Sequence, residues 1–328
     1  MPIKQIGSAE AKYLVASDIL IGDMSNTNYE FILFDRPIIL LANKWLINNF
    51  PDIGIKTDLS GLKSAIERSI GNPNEYKKQR QYWLNKTIYK PDGKSSKRYL
   101  DIILKKSQIK NPQLVFIHGF NSVRKSNLEP LIEETKQRGL PFLYKGTVKK
   151  KSKNRDNTIY IAAHFKDLEI IPGYKVHIDH DFKGKATTNV EIAIKDYKKN
   201  NFFPWIDLHI TAGEAGDERT KKVLGPLKDR TFIAGYPKAD HLIKFNTIEN
   251  KKKVFEEFNF NENKPLITYA PAGRQSYEKP GGSLTSKVIK ELRKISIEKN
   301  FNILIKLKYS KKPIILRGIN KVRKILRY

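Results

Sequence analysis

The sequence predicts an α/β protein built on two doubly wound parallel sheets. Short, uninterrupted apolar runs recur along the chain, the pattern of strands buried on both faces of a parallel sheet. Segments of helical period lie between them, so the order reads strand, helix, strand rather than hairpin. The length, 328 residues, suits about two domains.

Residues 19–21 and 37–41 are the first two strands, with a segment of helical length, 26–34, between them. Leu62, Ile66 and Ile70 fall at helical intervals in residues 59–70, behind the capping types Thr57 and Asp58. Residues 76–87 form another helix, the turn Pro91-Asp92-Gly93 follows, and residues 95–104 a further helix. Residues 105–112 read as a linker. A βαβ opening then comes from strand 114–117, helix 128–137 and strand 141–144, and residues 145–155 form a basic loop. Strands follow at 158–163, 175–178, 206–211 and 232–234, with a helix at 190–198 and a turn at Gly235-Tyr236-Pro237. Helix 250–258, strand 266–269, helix 285–300 and strand 303–306 complete the reading.

The chain carries 62 Lys+Arg against 34 Asp+Glu, a formal net charge of +28, which calls for an anionic partner. With 39% hydrophobic and 10% aromatic residues, that charge sits on a folded protein rather than a disordered tail. The absence of cysteine excludes disulfides, thiolate zinc sites, iron–sulfur clusters and cysteine nucleophiles, and fits a reducing compartment. No stretch offers the roughly 20 apolar residues of a spanning helix; the longest candidate, residues 31–47, is broken by Asp35, Arg36 and Lys44. The N-terminal apolar stretch contains Glu10, Lys12 and Asp18, which a signal core would exclude. The expected location is therefore cytoplasmic, with peripheral attachment to the inner face of the membrane through basic residues.

In doubly wound sheets ligands bind beyond the carboxyl ends of the strands. Residues 22–26, 118–125, 180–185, 235–240 and 270–276 are those exits. Gly22-Asp23-Met24-Ser25-Asn26 leaves a strand for a helix and offers small polar side chains and free backbone N–H groups to a phosphate; the plain alternative is an ordinary helix cap. Glu30, one turn on, can accept hydrogen bonds from a ribose or simply be solvated.

These residues bear a family resemblance. Residues 17–26, then Tyr29-Glu30-Phe31, then Asp35-Arg36-Pro37-Ile38-Ile39 resemble the nucleotide-binding half of the CDP-glycerol glycerophosphotransferases, the teichoic-acid-type polyol phosphate transferases. Tyr236-Pro237-Lys238-Ala239-Asp240 resembles the family's Gly-Tyr-Pro-Arg-x-Asp segment. Tyr269-Ala270-Pro271-Ala272-Gly273-Arg274 resembles its Tyr-Ala-Pro-Thr-Trp-Arg segment, and residues 180–185 its His-Gly-Thr-Pro-Leu-Lys segment. Together these cover most of the chain, in permuted order: the family's last segment stands first. Either both ends complete one two-domain enzyme, or the chain is a piece of a tandem protein.

The resemblance implies two Rossmann-like domains in a GT-B-like arrangement. Residues 1–108 would be one part of the nucleotide-binding domain, 109–262 the acceptor-side domain, and 263–328 the start of the nucleotide-binding domain, completed by 1–108. It implies transfer of glycerol phosphate from CDP-glycerol to a hydroxyl of a lipid-linked or glycan acceptor, without a cofactor. His180 would be the general base, with His118 a second candidate. Ser25, Asn26, Glu30, Arg36, Arg274 and Lys306 would bind the donor and its pyrophosphate. Asp181 stands at the family's glycine, and Lys306-Leu307-Lys308 at its Lys-Pro-His strand end.

His177-Ile178-Asp179-His180 alternates metal-ligand types, but strand alternation sends His180 away from the other two, and no metal is expected. Asp207-Leu208-His209 reads as a decoy with a buried histidine. The basic clusters 149–153, 251–253 and 317–327 read as solvated faces or, for the amphipathic 319–328, a membrane-surface segment. Nucleic acid is not an expected partner. Two other functions fit the same residues: a GT-B glycosyltransferase using a nucleotide sugar, and an inactive basic scaffold that binds anionic polymers.

Overall fold

The computed structural model describes residues 3–6, 11–23, 25–41, 51–119, 122–148, 157–164, 167–169, 171–179, 205–224, 229–271 and 283–306. It is an α/β structure with two six-stranded parallel sheets. The chain divides into two compact units: Met1–Phe31, Arg36–Lys77 and Thr247–Tyr328 in the first, Ile32–Asp35 and Lys78–Asn246 in the second.

In the first unit the strands are β1 (Ile3–Ile6), β2 (Ile19–Gly22), β3 (Ile38–Leu41), β4 (Ile55–Thr57), β11 (Leu266–Ala270) and β12 (Asn302–Lys306). Their order across the sheet is β1-β12-β11-β2-β3-β4. Strands from both ends of the chain thus share one sheet, with Ile267 opposite Ile19 and Ile3 opposite Ile303. Counted from β11, the order is 3-2-1-4-5-6, the doubly wound dinucleotide-binding order, with the chain ends falling between its second and third strands.

Both faces of this sheet are covered. Ile19, Ile21, Ile39, Ile267, Tyr269, Ile303 and Ile305 pack against α3 (Leu62–Gly71) and α10 (Ser283–Lys299) through Leu62, Ile66, Val288, Leu292 and Ile295. On the other face Leu266 and Leu304 meet α1 (Ala11–Ala16) and α9 (Ile248–Phe258) through Tyr13, Ala16, Val254 and Phe255. Successive strand residues therefore feed opposite cores, which is why the runs are apolar throughout rather than alternating. The short α2 (Thr27–Phe31) and a 3-10 turn (Ile32–Phe34) link β2 to β3.

The second unit holds β5 (Gln113–Ile117), β6 (Phe142–Lys145), β7 (Thr158–Ala162), β8 (Tyr174–Ile178), β9 (Leu208–Thr211) and β10 (Thr231–Ile233). Their order is β10-β9-β8-β7-β5-β6, so the winding reverses between β5 and β7. Leu114, Phe116, Ile159, Ile161, Val176 and Ile178 pack against α5 (Ser95–Ser107) and α6 (Ser122–Gln137). Val115, Ile117, Tyr160 and Ala162 pack on the opposite face against Leu168 and Ile171. The unit also includes α4 (Lys77–Thr87) from Lys78 onward, α7 (Glu214–Leu224) and α8 (Pro237–Phe245).

The unit boundaries differ from the divisions read at 108/109 and 262/263. Tyr99, Leu100 and Ile103 of α5 belong to the core around β5, and Val254 and Phe255 of α9 to the core around β12, so each helix follows its apolar face. Residues 105–107 continue α5 rather than starting a linker. Residues 237–245, read only as the exit from a turn, form α8, where Pro237 takes the first-turn position it tolerates. Asp240 accepts hydrogen bonds from the Ser95 and Ser96 N–H groups at 3.0 and 2.7 Å, tying α8 to the start of α5. The buried Arg80 donates to the Asp35 carboxylate at 2.9 Å and to its carbonyl at 3.0 Å, which fastens residues 32–35 into the second unit. The helix expected at 190–198 lies outside the described residues. Among those described, no helix is long and apolar enough to cross a membrane.

Candidate functional site

The reversal of winding in the first unit falls between β11 and β2, where Ala270 lies opposite Gly22 at the carboxyl ends of the strands. Chains leaving neighbouring parallel strands in opposite directions open a crevice there, and it is the place where such sheets take ligands. Three of the expected donor-binding residues gather at this point. Ser25 Oγ accepts from the Thr27 N–H at 3.2 Å and donates to Thr27 Oγ1 at 3.0 Å. Lys306, the last residue of β12, donates from Nζ to the same Thr27 Oγ1 at 3.0 Å. Because β11 separates β12 from β2, the Lys306 side chain crosses the carboxyl end of β11 to reach α2. Asn26 is half-buried beside Ser25, and its carbonyl accepts the Glu30 N–H at 3.0 Å.

The loop is braced from behind. Gly22 leaves no room for a side chain: a Cβ there would lie 2.0 Å from Asn28 Oδ1. The buried Asn28 in turn donates from Nδ2 to the Asp23 carbonyl. Asp23 and Glu30 are both buried, so Glu30 is not the solvated glutamate of the plain reading. A lysine and two hydroxyls thus meet at the strand reversal, beside a tightly held turn that also carries the buried Asp23 and Glu30.

Arg36, expected to bind the donor, is elsewhere. It precedes β3 and so stands at the amino-terminal edge of the sheet, opposite the crevice. Its Nη1 donates to the carbonyls of Val15 and Ser17, the latter at 2.7 Å, closing the end of α1. Burial lowers its pKa, opposed by Asp18. The residue is a structural clamp: an arginine between a helix end and a strand start meets carbonyls before it meets solvent.

In the second unit His118 directly follows β5, one of the two strands that flank the reversal. Its ring lies 4.7 Å from that of Tyr144. Burial and the charge of Lys125 hold the imidazole below its ordinary pKa, with Asp167 opposing them. The His118 backbone N–H donates to the Lys145 carbonyl at 3.1 Å, and Gly119, at φ 55°, turns the chain so that its own backbone N–H reaches the Gly146 carbonyl at 2.8 Å. His180 and Arg274 lie outside the described residues, as does Lys308.

The metal-like pattern resolves into a hydrogen-bonded pair. His177 and His209 face each other across β8 and β9, stacked at 4.8 Å with Nδ1 atoms 2.7 Å apart, and Thr220 Oγ1 lies 3.4 Å from His209 Nε2. Burial pushes the His209 pKa down to about 3. Among the described residues no group of three or more His, Asp or Glu could hold a metal ion.

Thr27, which joins Ser25 to Lys306, was missed from the sequence. The sequence has the capping-box form Thr27-Asn28-Tyr29-Glu30, but the structure does not use it: the Thr27 N–H goes to Ser25 Oγ and the Glu30 N–H to the Asn26 carbonyl, which leaves the Thr27 hydroxyl to Ser25 and Lys306. Lys125 closes the strand exit 118–125, whereas Tyr144 and Asp167 carried no sequence signal, because only the pairing of β5 with β6 and β7 brings them to His118. Comparison of the chain with protein-family models, with curated proteins and with solved structures finds no match.

Proposed function

We propose that the chain is a transferase that moves glycerol phosphate from CDP-glycerol to an acceptor hydroxyl, its two units acting as the donor and acceptor halves of a GT-B-like enzyme. The observation that carries this reading is the convergence of Ser25, Thr27 and Lys306 at the strand reversal of a sheet with dinucleotide-binding order. The residue resemblance supplies the donor and the reaction class.

On this reading the acceptor oxygen attacks the phosphorus that bears glycerol, an O–P bond forms, the pyrophosphate P–O bond breaks and CMP leaves. Lys306 faces the growing charge on the departing phosphate; the Ser25 and Thr27 hydroxyls orient it. A neutral imidazole takes the proton released by the acceptor. His180 is the base the resemblance assigns, and His118 is a second imidazole, its pKa held below the ordinary value by burial and Lys125.

The test is release of CMP from CDP-glycerol by the full chain, beside release of UDP from UDP-sugars. CMP release lost in His180→Ala supports the reading, and loss in His118→Ala instead moves the base to β5. Release of UDP alone would replace it with glycosyl transfer. Salt-sensitive binding of anionic polymers without turnover would leave the scaffold reading.

A further inference from the structure

Thr27 differs in its surroundings from the two side chains it joins. It is 6% exposed, whereas Ser25 and Lys306 are half-buried. Ser25 Oγ donates to Thr27 Oγ1 and accepts from the Thr27 N–H, and Lys306 Nζ donates to the same Oγ1 from 279 residues away in the chain. A hydroxyl oxygen has two lone pairs, so these two donors fill it. One buried oxygen therefore holds two donors that stand nearer the surface.

Lys306 needs such an anchor. Its side chain leaves the end of β12 and crosses the end of β11, where Ala270 and the facing Gly22 give a long chain little to lean on. A lysine fixed only by its ligand loses its rotamer freedom at the moment of binding, whereas one already tied has lost it on folding. An ammonium has three N–H donors and the bond to Thr27 uses one, so the tie leaves its charge intact. Position matters all the more because Asp23 and Glu30 are buried in the same stretch of chain. With two carboxylates there, net charge does not hold an anion, and a cation offsets them only where it meets the phosphate directly.

We propose that Thr27 is a positioning residue, whose hydroxyl oxygen sets the Lys306 ammonium and the Ser25 hydroxyl as a preformed grip for a diphosphate. The inference rests on the phosphate-binding part of the transferase reading and not on the reaction itself. Binding of a bare diphosphate and turnover of CDP-glycerol therefore test the two separately.

The test is calorimetric titration of the full chain with inorganic pyrophosphate, CDP and cytidine. Thr27→Val keeps the shape of the side chain and removes its oxygen, so it should weaken pyrophosphate and CDP about tenfold and leave cytidine, which has no phosphate, unchanged. Thr27→Ser, which restores the oxygen, should bind both within about twofold of wild type. In a Lys306→Met background, Thr27→Val should weaken CDP by less than about threefold, because the lysine it places is gone. Thr27→Ala carries the same comparison should Thr27→Val not fold. Equal weakening of cytidine and CDP would make Thr27 a purely structural residue and overturn the proposal. So would a tenfold loss in both backgrounds, a Thr27→Ser no better than Thr27→Val, or pyrophosphate bound as tightly by Thr27→Val as by wild type. Pyrophosphate bound through Thr27 without release of CMP from CDP-glycerol would uphold the proposal and end the transferase reading; CMP release undiminished in Thr27→Val would do the reverse. A wild type that binds neither pyrophosphate nor CDP would overturn both.

Discussion

Replacing Arg36 by alanine separates a structural clamp from a donor-binding residue. The side chain gives two hydrogen bonds from one charged donor, to the carbonyls of Val15 and Ser17. Both residues are buried, so water cannot readily replace the arginine. Each unpaired buried acceptor costs about 1–3 kcal/mol, and loss of a cation at a helix carboxyl end adds a few tenths. The sum is about 3 kcal/mol. For a cooperative unit of this size, each kcal/mol shifts the midpoint by roughly 2–4 °C, so Arg36→Ala should melt about 6–12 °C lower. Calorimetry gives the stability, and titration with CDP well below the new midpoint gives the affinity. The clamp account requires the first to fall while the second holds. An unchanged midpoint with weakened CDP binding would refute it and return Arg36 to the donor site.

Two further outcomes follow from the packing. His209, with a folded-state pKa of about 3, takes up its proton only on unfolding across the range below about 6.5. Its contribution to stability is therefore complete above pH 6.5 and lost as the pH falls towards 3, by up to about 1.4 kcal/mol per unit. Urea unfolding at pH 7 and pH 5 should show a steeper fall in wild type than in His209→Gln; parallel falls would mean that the ring is protonated in the folded state. In Gly22→Ala the new methyl would meet the Asn28 amide, which its bond to the Asp23 carbonyl holds in place. Such overpacking costs about 1–3 kcal/mol and displaces the first turn of α2, so denaturant midpoint and CDP affinity should fall together; an unaltered variant would show that Asn28 has room to move.

The interior strands were legible because both of their faces are buried. Residues 19–21, 38–41, 114–117, 158–162, 266–270 and 302–306 lie inside the two sheets, where no solvent face asks for a polar residue. The strands that escaped notice, β1 and β4, are the two edges of the first sheet. They are short and carry Lys4 and Lys56, as edges do to discourage further pairing, and those charges break the apolar run. The order of the strands was not legible, since parallel pairing joins residues far apart in sequence and leaves no local mark. Ser25 and Lys306 could be named as phosphate candidates from where their strands end, but their meeting through Thr27 depends on β12 lying two places from β2. Arg36 misled because a cation near a strand looks alike at either end of it; only the polarity of β3 places it on the far edge.

The most direct measurement is the position of bound CDP in a crystal of the full chain. The account predicts the diphosphate between the carboxyl ends of β11 and β2, with Lys306 Nζ and the Ser25 and Thr27 hydroxyls within hydrogen-bond distance, and at least tenfold weaker binding by Lys306→Met. CDP held at any other edge of either sheet, or bound equally well by Lys306→Met, would contradict it.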